Sequence, residues 1–120
     1  MGNSENQLLI ASKGSDLYLR ALGHITASLC FPLRNMIMKR LSSFSVPFEI
    51  NIDLSQTGYM DSTFLGILVA LDKGLYAKLK THVYIVCPNE ISLKLLKNMG
   101  LDRFLKFKDT PVPDDLVFER

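Results

Sequence analysis

The sequence has little cysteine and no cluster of metal-binding residues. Its two cysteines, Cys30 and Cys87, each lie in an apolar stretch, where cysteine usually behaves as a small buried hydrophobic residue. The CxxC and HxxxH spacings of zinc sites do not occur. We therefore predict no disulfide, no metal site and no cofactor, which suits a reducing compartment.

The sequence also has no large excess of charge of one sign and no long apolar run. The chain has 14 Lys and Arg against 12 Asp and Glu, a net charge of +2, and no run of five like charges. Nucleic-acid binding needs a basic surface, so we predict no nucleic-acid partner. The first residues, MGNSENQ, contain no apolar signal region, and no apolar run approaches the roughly 20 residues of a membrane span. We expect a cytoplasmic protein with no membrane span.

The motifs of common enzymes are absent as well. No G-x-S-x-G, P-loop or dinucleotide-binding fingerprint occurs in the sequence. His24 and His82 lie in different predicted loops, without a visible orienting partner. We therefore predict no catalytic residues and no enzyme activity; a small hydrolase or phosphatase is the weakest of the function classes considered.

What the sequence contains is an alternation of strand-like and helix-like runs. Apolar residues alternate with polar ones in the best predicted strand, where Asn51 and Asp53 lie on the polar face. Proline and glycine mark the predicted helix ends. Pro32 is suited to the first turn of the first helix, and Gly100 to the C-terminal end of the last. The predicted strands are 7–11, 17–22, 48–54, 83–87 and 104–107, and the predicted helices run from Pro32 to about Leu41, from Ser62 to Lys80 and from Asn89 to Met99.

This element order, ββαβαβαβ, predicts a single α/β domain with a mixed, mostly parallel sheet and helices packed on it. The domain spans residues 1–120, with a core at about 7–108 and a tail at 109–120 that forms a loop or an added edge segment. Apolar residues at helical spacing predict the buried helix faces, which are Leu33, Met36, Ile37 and Leu41 in the first helix and Ile91, Leu95 and Met99 in the last.

The most informative segment is DLSQTGYMDSTFLG, residues 53–66, which joins a predicted strand to the long helix. Asp61 is a good N-cap, and Ser62 and Thr63 follow in the first helical turn. A helix N-terminus favours phosphate, because its N–H groups are unpaired and its end is partly positive. Ser62 is therefore a candidate phosphorylation site. The alternative interpretation is that Asp61, Ser62 and Thr63 only cap the helix.

The same segment resembles the motif of STAS domains, the family of bacterial anti-sigma factor antagonists. Asp53-Leu54-Ser55, Met60-Asp61-Ser62 and Leu65-Gly66 stand at the family's intervals, with Thr63 replacing a second serine. Two further segments are similar to the family, Gly23-His24-Ile25-Thr26 before the first helix and 96–104 before the last strand. Phe64 stands where the family has glycine, and His24 where it has an acid.

The resemblance implies a regulatory protein that acts in transcription by binding a partner. Ser62, or alternatively Thr63, would be phosphorylated by a serine kinase that is also the anti-sigma factor, and phosphorylation would abolish binding. The implied docking surface comprises Gly23, His24, Asp61, Ser62, Thr63 and Phe64, with Phe64 as an altered contact. We expect a monomer or weak dimer.

Two alternatives remain open from the sequence. STAS-like modules also bind small ligands or lipids, and Tyr59 and Phe64 near the helix start could line such a pocket. The chain could also be an interaction subunit without a phosphorylation switch.

Overall fold

A computed structural model describes residues 6–43 and 47–118 of the chain. The strands within these residues are β1 (Gln7–Lys13), β2 (Asp16–Ile25), β3 (Ile50–Asp53), β4 (Thr57–Met60), β5 (Val83–Val86) and β6 (Lys106–Lys108). The helices are α1 (Ala27–Ser43), α2 (Ser62–Leu79) and α3 (Glu90–Asn98), and a 3-10 turn covers Leu101–Arg103.

The strands form one mixed sheet in the order β1-β2-β3-β5-β6. Only the β1–β2 hairpin is antiparallel among these pairs of the described chain; β2–β3, β3–β5 and β5–β6 are parallel. The predicted α/β domain with a mostly parallel sheet is confirmed.

One strand was not predicted. The segment Thr57–Met60, expected to be loop, forms β4 and pairs in parallel with the last residues of β2. β2 is ten residues long and β3 only four. β2 therefore extends beyond β3 and leaves backbone groups that a second strand can satisfy.

The main core lies between the sheet and the helices. Alternate residues of β2, β3 and β5 point to this side, and α2 covers them along its length. Fully buried residues on the two layers include Leu19, Ile50, Ile52, Ile85, Leu68, Leu71 and Leu75. Burial of a leucine or isoleucine side chain stabilises by about 1.5–3 kcal/mol, so this layer contributes strongly to the stability.

The first helix begins earlier than predicted. Pro32 lies at its sixth residue rather than in its first turn. The Thr26 carbonyl accepts the N–H groups of Leu29 and Cys30, at 3.1 and 3.3 Å, and starts the helix there. Proline lacks an N–H for the preceding turn, but Cys30 on one side of it and Leu33 on the other are both buried. This packing keeps the helix continuous.

The predicted buried faces of two helices are partly wrong. On α1, Cys30, Leu33 and Ile37 are buried, whereas Met36 is 37% exposed; the side chain of Leu41 lies outside the described ones. On α3, the buried residues are Ser92 and Leu96, whereas Ile91 and Met99 are 56% and 51% exposed and Leu95 is partly buried.

The rotation of α3 has an identifiable cause. Asn89, predicted as N-cap, accepts the Ser92 N–H at 2.8 Å. Its Nδ2 donates to the Thr57 carbonyl at 2.7 Å. These two bonds hold the helix start against β4. They turn Ser92 and Leu96 toward the core, in place of the predicted apolar face.

The last strand also differs from its prediction. Strand β6 begins at Lys106, not at Phe104, which is 66% exposed. The N–H groups of Phe104 and Leu105 both donate to the Leu101 carbonyl at 3.0 Å, so the 3-10 turn continues through them.

The second face of the sheet is polar, but it is not open to solvent. Asn51 and Asp53 are 1% and 5% exposed. Asp53 accepts from Arg20 Nε at 3.0 Å, as expected for a carboxylate that pairs with a nearby cation. The tail, described to residue 118, forms no strand or helix and lies against this face, with the Arg20 guanidinium 4.4 Å from the centre of the Phe118 ring.

Two glycine substitutions should change stability in opposite directions. Gly100 has a φ of +73° and nothing near its missing Cβ, so Gly100→Ala costs only left-handed backbone strain, about 1–2 kcal/mol. Gly66 lies in α2 with equally open space, so Gly66→Ala should stabilise by about 0.5–1 kcal/mol. Urea unfolding of both variants checks this. The same sign of change for both would contradict it.

Candidate functional site

The junction between β3 and α2 lies at the edge of the sheet where the parallel strands end. The Leu54 N–H donates to the Val86 carbonyl at 3.2 Å, and the Thr57 hydroxyl donates to the Ala21 carbonyl at 2.8 Å. These bonds tie the segment after β3 to both neighbouring strands. The following helix therefore starts at a fixed position.

Asp61 caps α2, as its position predicted. Its backbone is extended, with φ −81° and ψ 167°, and its Oδ1 accepts the Phe64 N–H at 2.9 Å. Its own N–H donates to the Ile25 carbonyl at 3.1 Å. The helix start is thus joined to the end of β2.

Ser62 and Thr63 are both exposed in the first turn of α2, whereas the neighbouring Phe64 is fully buried. Phe64 begins the buried side of the helix, which continues through Leu68 and Leu71 at helical spacing. The interpretation of Phe64 as an exposed partner contact is therefore wrong, and Phe64 cannot line an open pocket with Tyr59.

The structure brings Gly23 and His24 to the same edge. The Gly23 N–H donates to the Gln56 carbonyl at 3.2 Å, and Nδ1 of the exposed His24 accepts the Tyr59 N–H at 3.2 Å. A Cβ at Gly58 would lie 3.4 Å from the Gly23 carbonyl oxygen, so the two segments pack closely. The turn before α1 and the strand before α2 form one surface.

Tyr59 belongs to this surface, but sequence reasoning did not assign it a partner contact. Its side chain is 52% exposed, and its backbone holds His24.

A thiol lies beneath the helix start. Cys30 on α1 is fully buried and is not part of a disulfide. Burial raises the pKa of the Cys30 thiol, and the negative charge of Asp61 raises it further. Because the thiolate is the reactive form of cysteine, Cys30 is poorly suited to be a nucleophile.

The other histidine does not join this site. His82 Nδ1 lies 3.1 Å from Asp72 Oδ1, so His82, expected to have no orienting partner, has one. Asp72 also accepts the Val83 N–H at 2.9 Å. This pair lies where β5 begins, at the opposite end of the parallel strands from Ser62. Across the described ranges, no three His, Cys, Asp or Glu side chains are grouped to hold a metal ion.

The model of the STAS domain matches residues 21–112. The chain therefore belongs to the STAS domain family. No curated protein gives a significant match. None of the described helices combines the length and the apolar character that crossing a membrane requires.

Solved structures share this fold. The anti-sigma factor antagonist SpoIIAA in its unphosphorylated form has a TM-score of 0.73 at 16% identity, covering 85% of this chain and 88% of its own. The Bacillus cell fate determinant SpoIIAA in phosphorylated form has a TM-score of 0.66 at 16% identity, with 84% and 91% covered. An anti-sigma factor antagonist from Mycobacterium paratuberculosis has 0.66 at 23% identity, with 92% of both chains covered.

The cap makes a testable contribution to the site. Asp61→Ala removes the acceptor of the Phe64 N–H and should lower the free energy of unfolding by about 1 kcal/mol. Asp61→Asn keeps the acceptor and should cost less. Urea unfolding of the two variants tests this prediction. Equal losses would mean that the charge of Asp61, and not its hydrogen bond, stabilises the helix start.

Proposed function

We propose that this protein is a non-enzymatic regulator that binds a partner protein through the edge around Ser62 and is released by phosphorylation of Ser62. The partner proposed is a serine kinase that also acts as an anti-sigma factor, so the regulated process is transcription in a bacterial cytoplasm. The family assignment and the antagonist neighbours support this class of function.

The exposed hydroxyl of Ser62 is the observation that carries the proposal. It lies in the first turn of α2, directly after the Asp61 cap. Thr63 is also exposed and is the alternative acceptor. Gly23, His24 and Tyr59 border the same edge and supply a surface that a partner can contact.

A phosphate on Ser62 would change the charge of this surface without unfolding it. It carries about two negative charges, and the N–H groups and partial positive charge of the helix start stabilise it. The Asp61 carboxylate beside it makes the edge more negative still. A partner that fits the neutral serine would meet a bulky anion there.

Replacement of the hydroxyl tests the switch. Ser62→Asp and Ser62→Glu should weaken binding to the partner at least about tenfold, because a tenfold loss needs only about 1.4 kcal/mol. Ser62→Ala should bind at wild-type strength and resist release. Binding is measured by titration calorimetry with the partner recovered by co-purification from the native host, and peptide mapping of the recovered protein identifies the phosphorylated residue.

The matched control is Ser42→Asp, which adds the same charge to an exposed serine near the end of α1. It should bind like the wild type. Melting temperatures should not fall for Ser62→Asp, since negative charge is favourable at a helix N-terminus. Equal binding by Ser62→Ala, Ser62→Asp and wild type would refute the switch, and phosphate found on Thr63 alone would move it by one residue.

A further inference from the structure

A cavity of about 360 Å³ lies on the second face of the sheet, away from the helices. Its floor is formed by Tyr18 of β2, Asn51 of β3, Val86 of β5 and Lys108 of β6. Tail residues 110–113 form its roof, including Pro111, Val112 and Pro113. Its volume falls at the lower end of small-molecule sites, which are about 300–1,000 Å³.

The floor contains an unsatisfied donor. Asn51 is 1% exposed, and its Nδ2 has no hydrogen-bond partner. Its Oδ1 accepts from Lys108 Nζ at 2.8 Å. That bond fixes the orientation of the amide, because a flipped amide would place two donors against each other. A buried donor without a partner costs about 1–3 kcal/mol.

Lys108 is itself held in place beside this donor. Its Nζ donates to Glu49 Oε1 and Asn51 Oδ1, both at 2.8 Å, and lies 4.2 Å from the centre of the Tyr84 ring. An ammonium group has three N–H donors. The Lys108 ammonium and the two N–H groups of Asn51 make this part of the floor rich in donors.

The charges around the cavity are already balanced. Lys108 pairs with Glu49, and Arg20 pairs with Asp53 at 3.0 Å. An anionic ligand would approach the Glu49 and Asp53 carboxylates, and a cation would approach Lys108 and Arg20. A neutral ligand is not repelled by either set of charges, and an acceptor oxygen on it can accept a hydrogen bond from the Asn51 amide.

We propose that this cavity binds a small, neutral, planar molecule with a carbonyl oxygen, which accepts from Asn51 Nδ2 and packs its ring against Tyr18, Val86 and the prolines of the tail. The tail has no strand or helix in residues 110–118, and side-chain contacts, such as Lys13 Nζ to Asp115 Oδ2 at 3.1 Å, hold it beside the sheet. This site is separate from Ser62 and does not depend on the phosphorylation switch.

Three probes that share one ring test the chemistry: benzamide, benzoate and benzylamine. Each is titrated into the 15N-labelled full chain, and the side-chain NH2 signals of Asn51 are followed by NMR. Benzamide should bind with a Kd on the order of 1 mM and shift these signals. Benzoate should bind more weakly, and benzylamine, which offers no acceptor, should leave them unchanged.

Variants separate binding at this site from general effects. Asn51→Asp removes the donor while keeping a partner for Lys108, and should weaken benzamide binding about tenfold. Because this variant has no side-chain NH2 group at position 51, its binding is followed through the backbone amide signals of Tyr18 and Val86, which also line the cavity. Val112→Phe fills the cavity from the tail and should block binding with Asn51 intact. Ser62→Ala should bind benzamide like the wild type. The proposal is overturned if no probe shifts the Asn51 signals, which would mean that water satisfies the amide, or if benzylamine binds as well as benzamide.

Discussion

The position of α2 depends on the pairing between the far end of β2 and β4. β2 extends beyond β3, and β4 takes the place beside it, so the chain is still hydrogen-bonded when it reaches Asp61. The Asp61 N–H to the Ile25 carbonyl is the last of these bonds before the helix begins. A helix that started from a free loop would place Ser62 less definitely, because an unpaired segment keeps more conformational freedom.

Local signals in the sequence were sufficient for the elements whose geometry is local. Asp61 and Asn89 cap helices because an Asx side chain can reach N–H groups three residues later, whatever the tertiary structure. Gly100 ends a helix because the stop requires a positive φ. The predicted site followed from the Asp61 cap together with the family motif.

The incorrect predictions concern features that depend on tertiary contacts, which the sequence does not show directly. Strand β4 has four residues with little alternation, and it exists because β2 offers it a partner. The rotation of α3 was mistaken because the apolar stripe of Ile91 and Met99 suggested a buried face, whereas Asn89 bonds to Thr57 and turns Ser92 inward. Alternation in the sequence predicted the polar face of β3, but not that the tail, predicted as a loop or an added edge segment, covers this face.

The two faces of the sheet therefore differ in the interactions that their buried residues make. On the helix side, apolar contacts supply stability, and the proposed partner surface lies at the rim where this layer ends. On the other side, a short tail covers polar side chains that hydrogen-bond to one another, Arg20 to Asp53 and Lys108 to Asn51. A charge placed on Ser62 would act at the rim of a packed layer, so the proposed switch can change binding without moving the backbone. A ligand in the proposed cavity would instead lie beneath a segment that forms no strand or helix.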